Sequence, residues 1–340
     1  MSPGVAFPRG VVWQEIRAAA LDTVPDKYPL TPASMHSLSG WLKAGSFQCQ
    51  SEAKYELNLL VYSSDIGGAL LGDAEYFLNH ATEHRIASFS AVEKGRLPSD
   101  TWLLVTYYYW AYFSALAITR MTGKSTWFLD GNHLNLLRGT LSGGGTGGAG
   151  TYVLDLEPPQ NSTQRVLRLK RSKDRLHEAV WDRLFRSLDI WVTAANARGA
   201  RTLEARMYEA LLRTSARHGR DWPSALRNVV NYRPGMAYDA VAGSRRLRMM
   251  SATSSSPSSR IDVVSAHESA LQEVGSKIDP STNGLACARL LISLCYVLDD
   301  LATTLHDELL DRLTLARSWS KLRKSYVAEY MPIGSGWPLD

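Results

Sequence analysis

The residues best suited to chemistry lie near the end of one short predicted helix. Arg227 and Asn228 supply a cation and an amide, and Tyr232 adds a hydrogen-bonding ring five positions after the arginine. Arg227 and Asn231 are i,i+4 neighbours, as are Asn228 and Tyr232, so these polar groups occupy adjacent stripes of one helix. A guanidinium with hydrogen-bonding neighbours is suited to binding a phosphate. The same residues are also compatible with a capped helix end that binds nothing.

A proline ends the helix that carries these residues. Ser224, after Pro223, begins the helix, and Pro234 disfavours the α region for Arg233. Gly235 then permits a turn. We therefore expect the polar group at a helix C-terminus, where Arg233 supplies a second cation.

A run of basic residues forms a second candidate site. Six cations lie within eleven residues that contain one acidic residue: Arg165, Arg168, Lys170, Arg171, Lys173 and Arg175. Their partial alternation with apolar residues predicts a strand, or the start of a helix, with one charged face. Such a face either contacts nucleic-acid phosphates or is only solvated. The nucleic-acid-binding candidates are the first five of these cations together with Arg233.

An acidic stretch near the C-terminus provides an alternative chemistry. Asp299 and Asp300, with His306 and Asp307 further along the same predicted helix, would suit an isoprenoid-type, Mg²⁺-dependent helical enzyme. An exposed acidic stripe explains the same residues, and the Glu-x-x-His partner of a two-helix metal site is missing from the sequence. We therefore predict no metal site and no cofactor.

The histidines of this sequence do not form part of a hydrolase motif or a zinc-protease motif. Four of them lie in polar contexts that predict surface positions, namely His80, His84, His133 and His218.

Helical periodicity dominates the rest of the chain. Apolar residues recur at three- and four-residue spacing in residues 70–83, 102–122, 176–197, 202–218, 265–274, 285–310 and 313–327. Two strand-like segments, residues 126–129 and 151–156, predict a small β-hairpin near residues 126–156. The predicted fold class is mainly α, a helical bundle.

Two low-complexity stretches suggest the domain organisation. A Gly-rich insertion covers residues 140–150, and a Ser-rich linker covers residues 251–260. Five prolines in the first 32 residues predict an irregular N-terminal segment over residues 1–65 that wraps the core. The bundle is predicted over residues 66–250, and C-terminal helices that pack on it over residues 261–340.

Two motifs together resemble a known family. A Tyr-Tyr-x-x-x-Phe-x-Ala helix begins at Tyr108, and a later helix carries Arg-Asn-x-x-x-Tyr from Arg227 to Tyr232. Over residues 100–235 this pattern resembles the HEPN superfamily of helical bundles, whose motif ends in histidine where this chain has Tyr232. The resemblance implies an often dimeric RNA-binding protein, or a metal-independent endoribonuclease, from a bacterial toxin or antiviral defence system.

The resemblance also implies roles for the three motif residues. Arg227 is expected to bind the phosphate, Asn228 to assist it, and Tyr232 to occupy the place of the histidine. A phenol, with a reference pKa near 10, is a poor base at neutral pH. Two interpretations therefore stay open, an endoribonuclease and a non-catalytic scaffold subunit of a bacterial multi-protein defence complex.

The composition is that of an ordinary soluble protein, with 45% hydrophobic residues and a formal charge of +5. Three cysteines without a C-x-x-C pair favour a reduced, cytoplasmic compartment. The uncharged residues 101–119 contain enough Thr, Ser and Tyr to be interpreted as a buried helix rather than a membrane span. The expected partners are RNA and either a protein subunit or a second copy of the chain.

Overall fold

The computed structural model describes residues 10–24, 37–53, 55–93, 100–138, 148–159, 163–199, 202–232, 260–312 and 325. These residues are mostly helical, as predicted, with ten helices and five strands. In chain order the elements are α1 (Val11–Thr23), α2 (Leu38–Ala44), β1 (Phe47–Ala53), β2 (Glu56–Tyr62), α3 (Ser63–Glu93), α4 (Asp100–Met121), β3 (Lys124–Leu129), α5 (Gly131–Arg138), β4 (Gly150–Leu156), β5 (Gln164–Arg171), α6 (Leu176–Ala197), α7 (Leu203–His218), α8 (Trp222–Tyr232), α9 (Arg260–Val274) and α10 (Pro280–Arg312).

Helix α4 lies at the centre of the helical part of the chain. It packs against α3, α6, α8, α10 and β3. Most of its side chains are buried, and Tyr108, Trp110 and Ala111 have no exposed surface, whereas Trp102 near its start is 63% exposed. A helix that is apolar all round is stable only when its neighbours cover it, and α4 meets that condition. In the described parts of the chain, no helix combines the length and the hydropathy that crossing a bilayer requires.

The five strands form one antiparallel sheet in the order β1-β2-β5-β4-β3. One face packs on α2, α5 and the beginning of α3, through inward side chains such as Leu59, Leu154 and Leu167. The opposite face of β3 and β4 packs on α6. The predicted hairpin is confirmed as β3 paired with β4, and the strand predicted over the basic run is β5.

The prediction of an irregular N-terminal segment over residues 1–65 is wrong for the described residues. They form α1, α2, β1 and β2. The missed signal is the alternation of Leu57, Leu59 and Val61, whose side chains are buried on the inner face of β2. All five prolines behind that prediction lie outside the described residues.

Six of the seven predicted helices are confirmed as α3, α4, α6, α7, α9 and α10. The seventh, at residues 313–327, lies outside the described residues apart from Ser325. So do residues 251–259 of the Ser-rich linker and residues 140–147 of the Gly-rich insertion.

Arg120, at the end of α4, joins the helical part to the sheet. Its Nε donates to Asp73 on α3 at 3.2 Å, and its Nη1 donates to the Thr126 carbonyl of β3 at 2.7 Å and to the Ser125 hydroxyl. The carboxylate of Asp73 also accepts the main-chain N–H of Leu38 at 3.2 Å. Arg120 is only 3% exposed, so a single buried guanidinium holds α4, α3 and β3 in register.

We predict that Arg120→Met lowers the free energy of unfolding by about 3–5 kcal/mol, because Asp73 is left as an uncompensated buried charge. Chemical denaturation measures the change. The control is Arg186→Met, which removes an ion pair to Asp182 from a side chain that is 57% exposed. That variant is expected to lose at most about 1 kcal/mol. Equal losses in the two variants would contradict the role assigned to Arg120.

Candidate functional site

Helix α8 places its polar residues at the rim of the helical part. Trp222, Leu226 and Val230 are buried, and their spacing turns one stripe of the helix towards the core. Arg227 and Asn228 lie beside this stripe and are half-buried. Tyr232 ends the helix and is 71% exposed. Arg227, Asn228 and Tyr232 thus lie in the last described turns of α8; Arg233 and Pro234, on which the predicted helix end depends, lie outside the described residues.

Arg227 is surrounded by phenol rings and an amide. Its Nη2 donates to the Tyr109 hydroxyl at 3.0 Å, and its Nη1 donates to Asn228 Oδ1 at 3.1 Å. The guanidinium carbon lies 5.9, 5.8 and 6.0 Å from the ring centroids of Tyr108, Tyr109 and Tyr232. These contacts hold the cation in place through cation–π attraction and do not neutralise it.

The charge of Arg227 lacks a carboxylate partner among the described residues. Its Nε is buried and meets no hydrogen-bond acceptor there. An unneutralised guanidinium with an unused buried donor, next to solvent, is suited to receiving an anion.

His177 is a site residue that the sequence analysis missed. It is the second residue of α6 and is half-buried. Its Nδ1 lies 2.7 Å from the Tyr108 hydroxyl, which also lies 3.2 Å from Ser224 Oγ and accepts the Trp181 indole N–H at 3.3 Å. The imidazole stacks on the Tyr112 ring at 4.4 Å. A histidine at the start of a predicted helix, directly after the basic run, was the available signal.

Burial sets the protonation states of Tyr108 and His177. It raises the pKa of Tyr108 to about 12, against the opposing effect of the hydrogen bonds with Ser224 and Trp181. Burial, followed by the positive charge of Arg227, lowers the pKa of His177 to about 4. At neutral pH, therefore, the imidazole and the phenol are both uncharged, and Arg227 carries the charge of the site.

A row of rings continues from Tyr109 along α3. The imidazole of His84 stacks against both Tyr109 and Phe113, with centroids 5.5 and 5.6 Å away, and His80 stacks on Phe113 at 5.1 Å. Burial, and then the neighbouring His80, lower the pKa of His84. All four histidines predicted at surface positions, His80, His84, His133 and His218, are half-buried, and rings of α3 and α4 cover part of His80 and His84.

Arg165 belongs to the interior rather than to a nucleic-acid surface. Its side chain is 1% exposed. It donates to the Asp22 carboxylate at 2.6 Å, to the Asp22 carbonyl and to the Glu157 carbonyl at 2.7 Å. Because residues alternate along β5, Arg165 points to the inner face with Leu167 and Leu169. Because hydrogen-bond acceptors surround the Arg165 guanidinium, it is not available to a phosphate.

The other cations of the basic run are at the surface. Arg168 pairs with Glu157 at 2.5 Å and Glu56 at 3.4 Å, and Arg171 donates to the Ala149 carbonyl at 3.2 Å. Lys170 and Lys173 are exposed. Lys173 lies four residues before His177, so their Cα atoms are at most about 14 Å apart. The exposed part of the run therefore ends close to His177 and to the tyrosine rings that surround Arg227.

The acidic stretch on α10 does not form an exposed stripe. Asp299 is buried and accepts Arg85 Nη1 of α3 at 2.9 Å. His306 is fully buried and faces Glu75. Within the described ranges, no group of three or more His, Cys, Asp or Glu side chains is arranged to hold a metal ion.

Comparison of the chain with protein-family models, curated proteins and solved structures finds no match. The resemblance to the HEPN superfamily accordingly stays a prediction.

We predict that the His177 ring titrates near pH 4 and that Arg227→Met moves its pKa part of the way back towards 6.5. The variant keeps the burial but removes the nearby positive charge. NMR of the ring carbon signals over a pH series measures the change. Arg213→Met, which removes a cation from a side chain 55% exposed on α7, should leave this titration unchanged. An unaltered His177 pKa in Arg227→Met would contradict the described arrangement.

Proposed function

We propose that this chain is an HEPN-like RNA-binding protein that holds a backbone phosphate at the end of α8. The observation that carries the proposal is the half-buried guanidinium of Arg227, fixed by Tyr109 and Asn228 and lacking a carboxylate partner among the described residues. The cytoplasmic location, inferred from the cysteines, and the place in a bacterial defence or toxin system, implied by the resemblance, form part of this proposal.

The surroundings of Arg227 suit a single strand. Tyr232 presents a largely exposed ring beside the guanidinium, and a base attached to a bound phosphate can stack on such a ring. The exposed Lys170 and Lys173 lie along the approach to α6 and supply further positive charge for the neighbouring phosphates. The Tyr109 hydroxyl accepts a hydrogen bond from the guanidinium, and the exposed Tyr232 adds hydrogen-bonding capacity at the surface.

The same site supports cleavage of the strand that it binds. In-line attack of a ribose 2′-hydroxyl on the adjacent phosphate gathers negative charge on the phosphoryl oxygens. Arg227 is placed to neutralise that charge, and Asn228 to keep the guanidinium in position. A homodimer, as the resemblance implies, would bring two such groups together. We therefore propose a metal-independent endoribonuclease activity.

A non-catalytic scaffold subunit is the second candidate. It is favoured by Tyr232, an exposed phenol at the position where the resembled motif carries a base of suitable pKa. In this case the α8 end would bind RNA or a partner protein without cleaving it.

We predict that Arg227→Met weakens binding of a single-stranded RNA oligonucleotide at least tenfold, because a charge-assisted contact to phosphate is lost. Fluorescence anisotropy at fixed salt measures the affinity, and Arg213→Met is the control for the loss of one positive charge. Equal affinity of Arg227→Met and wild type would contradict the proposed site. A wild-type protein that binds no RNA and co-purifies with a partner would favour the scaffold.

We also predict that Lys170→Gln combined with Lys173→Gln lowers the slope of log affinity against log salt concentration by about 1.4, since each phosphate contact to a single strand contributes about 0.7. The matched control is Lys43→Gln combined with Lys277→Gln, two exposed lysines outside the basic run. The slope is obtained from RNA titrations between about 50 and about 300 mM KCl, a range of roughly 0.8 logarithmic units. An unchanged slope in the variant with both Lys170→Gln and Lys173→Gln would show that these lysines of the basic run do not contact the RNA.

A further inference from the structure

We propose that His177 takes the proton from the attacking ribose 2′-hydroxyl and that Tyr108 holds the imidazole in the orientation for this step. The inference rests on the proposed RNA-cleaving function and assigns the base that the α8 motif lacks. Three observations carry it: the position of His177 beside the Arg227 cluster, the hydrogen-bond network behind its ring, and its partial exposure.

His177 and Arg227 are both neighbours of the same two tyrosine rings. The Tyr108 ring has the guanidinium carbon 5.9 Å from its centroid and the imidazole centroid 5.8 Å away. Tyr109 likewise meets both groups, at 5.8 and 6.2 Å. A phosphate on the guanidinium therefore brings the ribose of the same nucleotide into the neighbourhood of the imidazole.

The network behind the ring fixes its orientation. The indole N–H of Trp181 can only donate, so the Tyr108 oxygen accepts from it. In the tautomer that we assign, the His177 Nδ1–H also donates to this oxygen, and the Tyr108 O–H donates to Ser224 Oγ. Each partner is then satisfied, and the lone pair of His177 Nε2 is left for a ligand. A nucleophile, a base and a group that orients the base form the usual set for such a proton transfer.

The other rings of the site are less suited to this step. The His84 imidazole packs against the rings of Tyr109 and Phe113, and no hydroxyl among the described residues orients it. Tyr232 is a phenol, whose reference pKa near 10 makes the neutral group a poor proton acceptor. His177 alone among these rings combines a neutral imidazole, an orienting hydroxyl and partial exposure.

The step is balanced without a metal or a co-reactant. His177 Nε2 accepts the 2′-hydroxyl proton as the O2′–P bond forms and the P–O5′ bond breaks. The imidazolium then returns the proton to the departing O5′. The products are a 2′,3′-cyclic phosphate and a 5′-hydroxyl end, with the imidazole regenerated.

Protonation of His177 sets the expected pH dependence. The groups that face its ring are Tyr108, Tyr109 and Tyr112 of α4 and Arg227 of α8; Glu178, next on α6, accepts the N–H of Arg175. Burial and Arg227 lower the pKa of His177 to about 4, so the base form is present throughout the neutral range. The wild-type rate should stay level from about pH 7.5 to 5.5, where an ordinary imidazole would lose most of its base form.

The test compares cleavage and binding in the same variants. Cleavage of a single-stranded RNA oligonucleotide is followed in EDTA, and affinity is measured with the same sequence in 2′-deoxy form. We expect His177→Ala to keep the affinity within about twofold and to cleave at least about 100-fold more slowly. Added imidazole should restore part of the rate of His177→Ala but none of the rate of Arg227→Met. The matched control is His133→Ala, because His133 is another half-buried histidine with a hydroxyl partner, Ser39 at 3.0 Å.

Each outcome decides the inference. Cleavage by His177→Ala within a few fold of wild type overturns the role of His177 and leaves the proposed nuclease standing. Wild-type protein that binds the oligonucleotide without cleaving it overturns the inference, and it overturns the nuclease but not the RNA-binding proposal. If His177→Ala does not fold, Tyr108→Phe decides instead. A rate at least tenfold below wild type supports the orienting network, and an unchanged rate overturns it.

Discussion

A buried tyrosine hydroxyl needs a hydrogen-bond partner, and this requirement organises the end of the helical part where the site lies. Tyr108, in the middle of α4, has no exposed surface, so its hydroxyl is out of reach of bulk water. Its partners come from other helices, His177 and Trp181 from α6 and Ser224 from α8. Satisfying one hydroxyl therefore brings three helices to a common point. Because unpaired buried polar groups cost roughly 1–3 kcal/mol, this arrangement is strongly preferred over others.

The need of tyrosine hydroxyls for hydrogen-bond partners also shapes the surroundings of Arg227 at the rim of the helical part. The Tyr109 hydroxyl lies at the edge of the cluster, where it accepts from the guanidinium and does not carry a negative charge. The phenol rings pack around the cation without neutralising it, and their neutrality keeps the local field positive. The imidazole of His177 behind these rings is uncharged at neutral pH, because burial and the field of Arg227 both disfavour a second positive charge there. One cluster thus holds a permanent cation beside a neutral base.

Interior arginines perform a different task elsewhere in the fold. Arg85, Arg120 and Arg165 are buried, and each joins two elements through an ion pair with an aspartate, which is itself exposed only in the pair of Arg165 with Asp22. Such pairs add specificity of arrangement more than net stability, since desolvation offsets most of the Coulomb attraction. The basic run illustrates the consequence. Neighbouring cations that look alike in the sequence are separated by the pleat of β5 into a structural residue, Arg165, and the surface residues Arg168 and Lys170.

Local patterns in the sequence determined most of the helices, the β3–β4 hairpin and the helix that carries Arg227, because periodicity and proline act over a few residues. They did not reveal β1 and β2, although the alternation of Leu57, Leu59 and Val61 was a local signal; the pairing of β2 with β5, about a hundred residues away, depends on the tertiary structure. Nor did they reveal His177, since its role follows from contacts with Tyr108, 69 positions earlier, and from the field of Arg227. Residue types are local properties and can be read from the chain. Burial, protonation and the meeting of distant side chains arise only when the helices pack, and only the tertiary structure decided them.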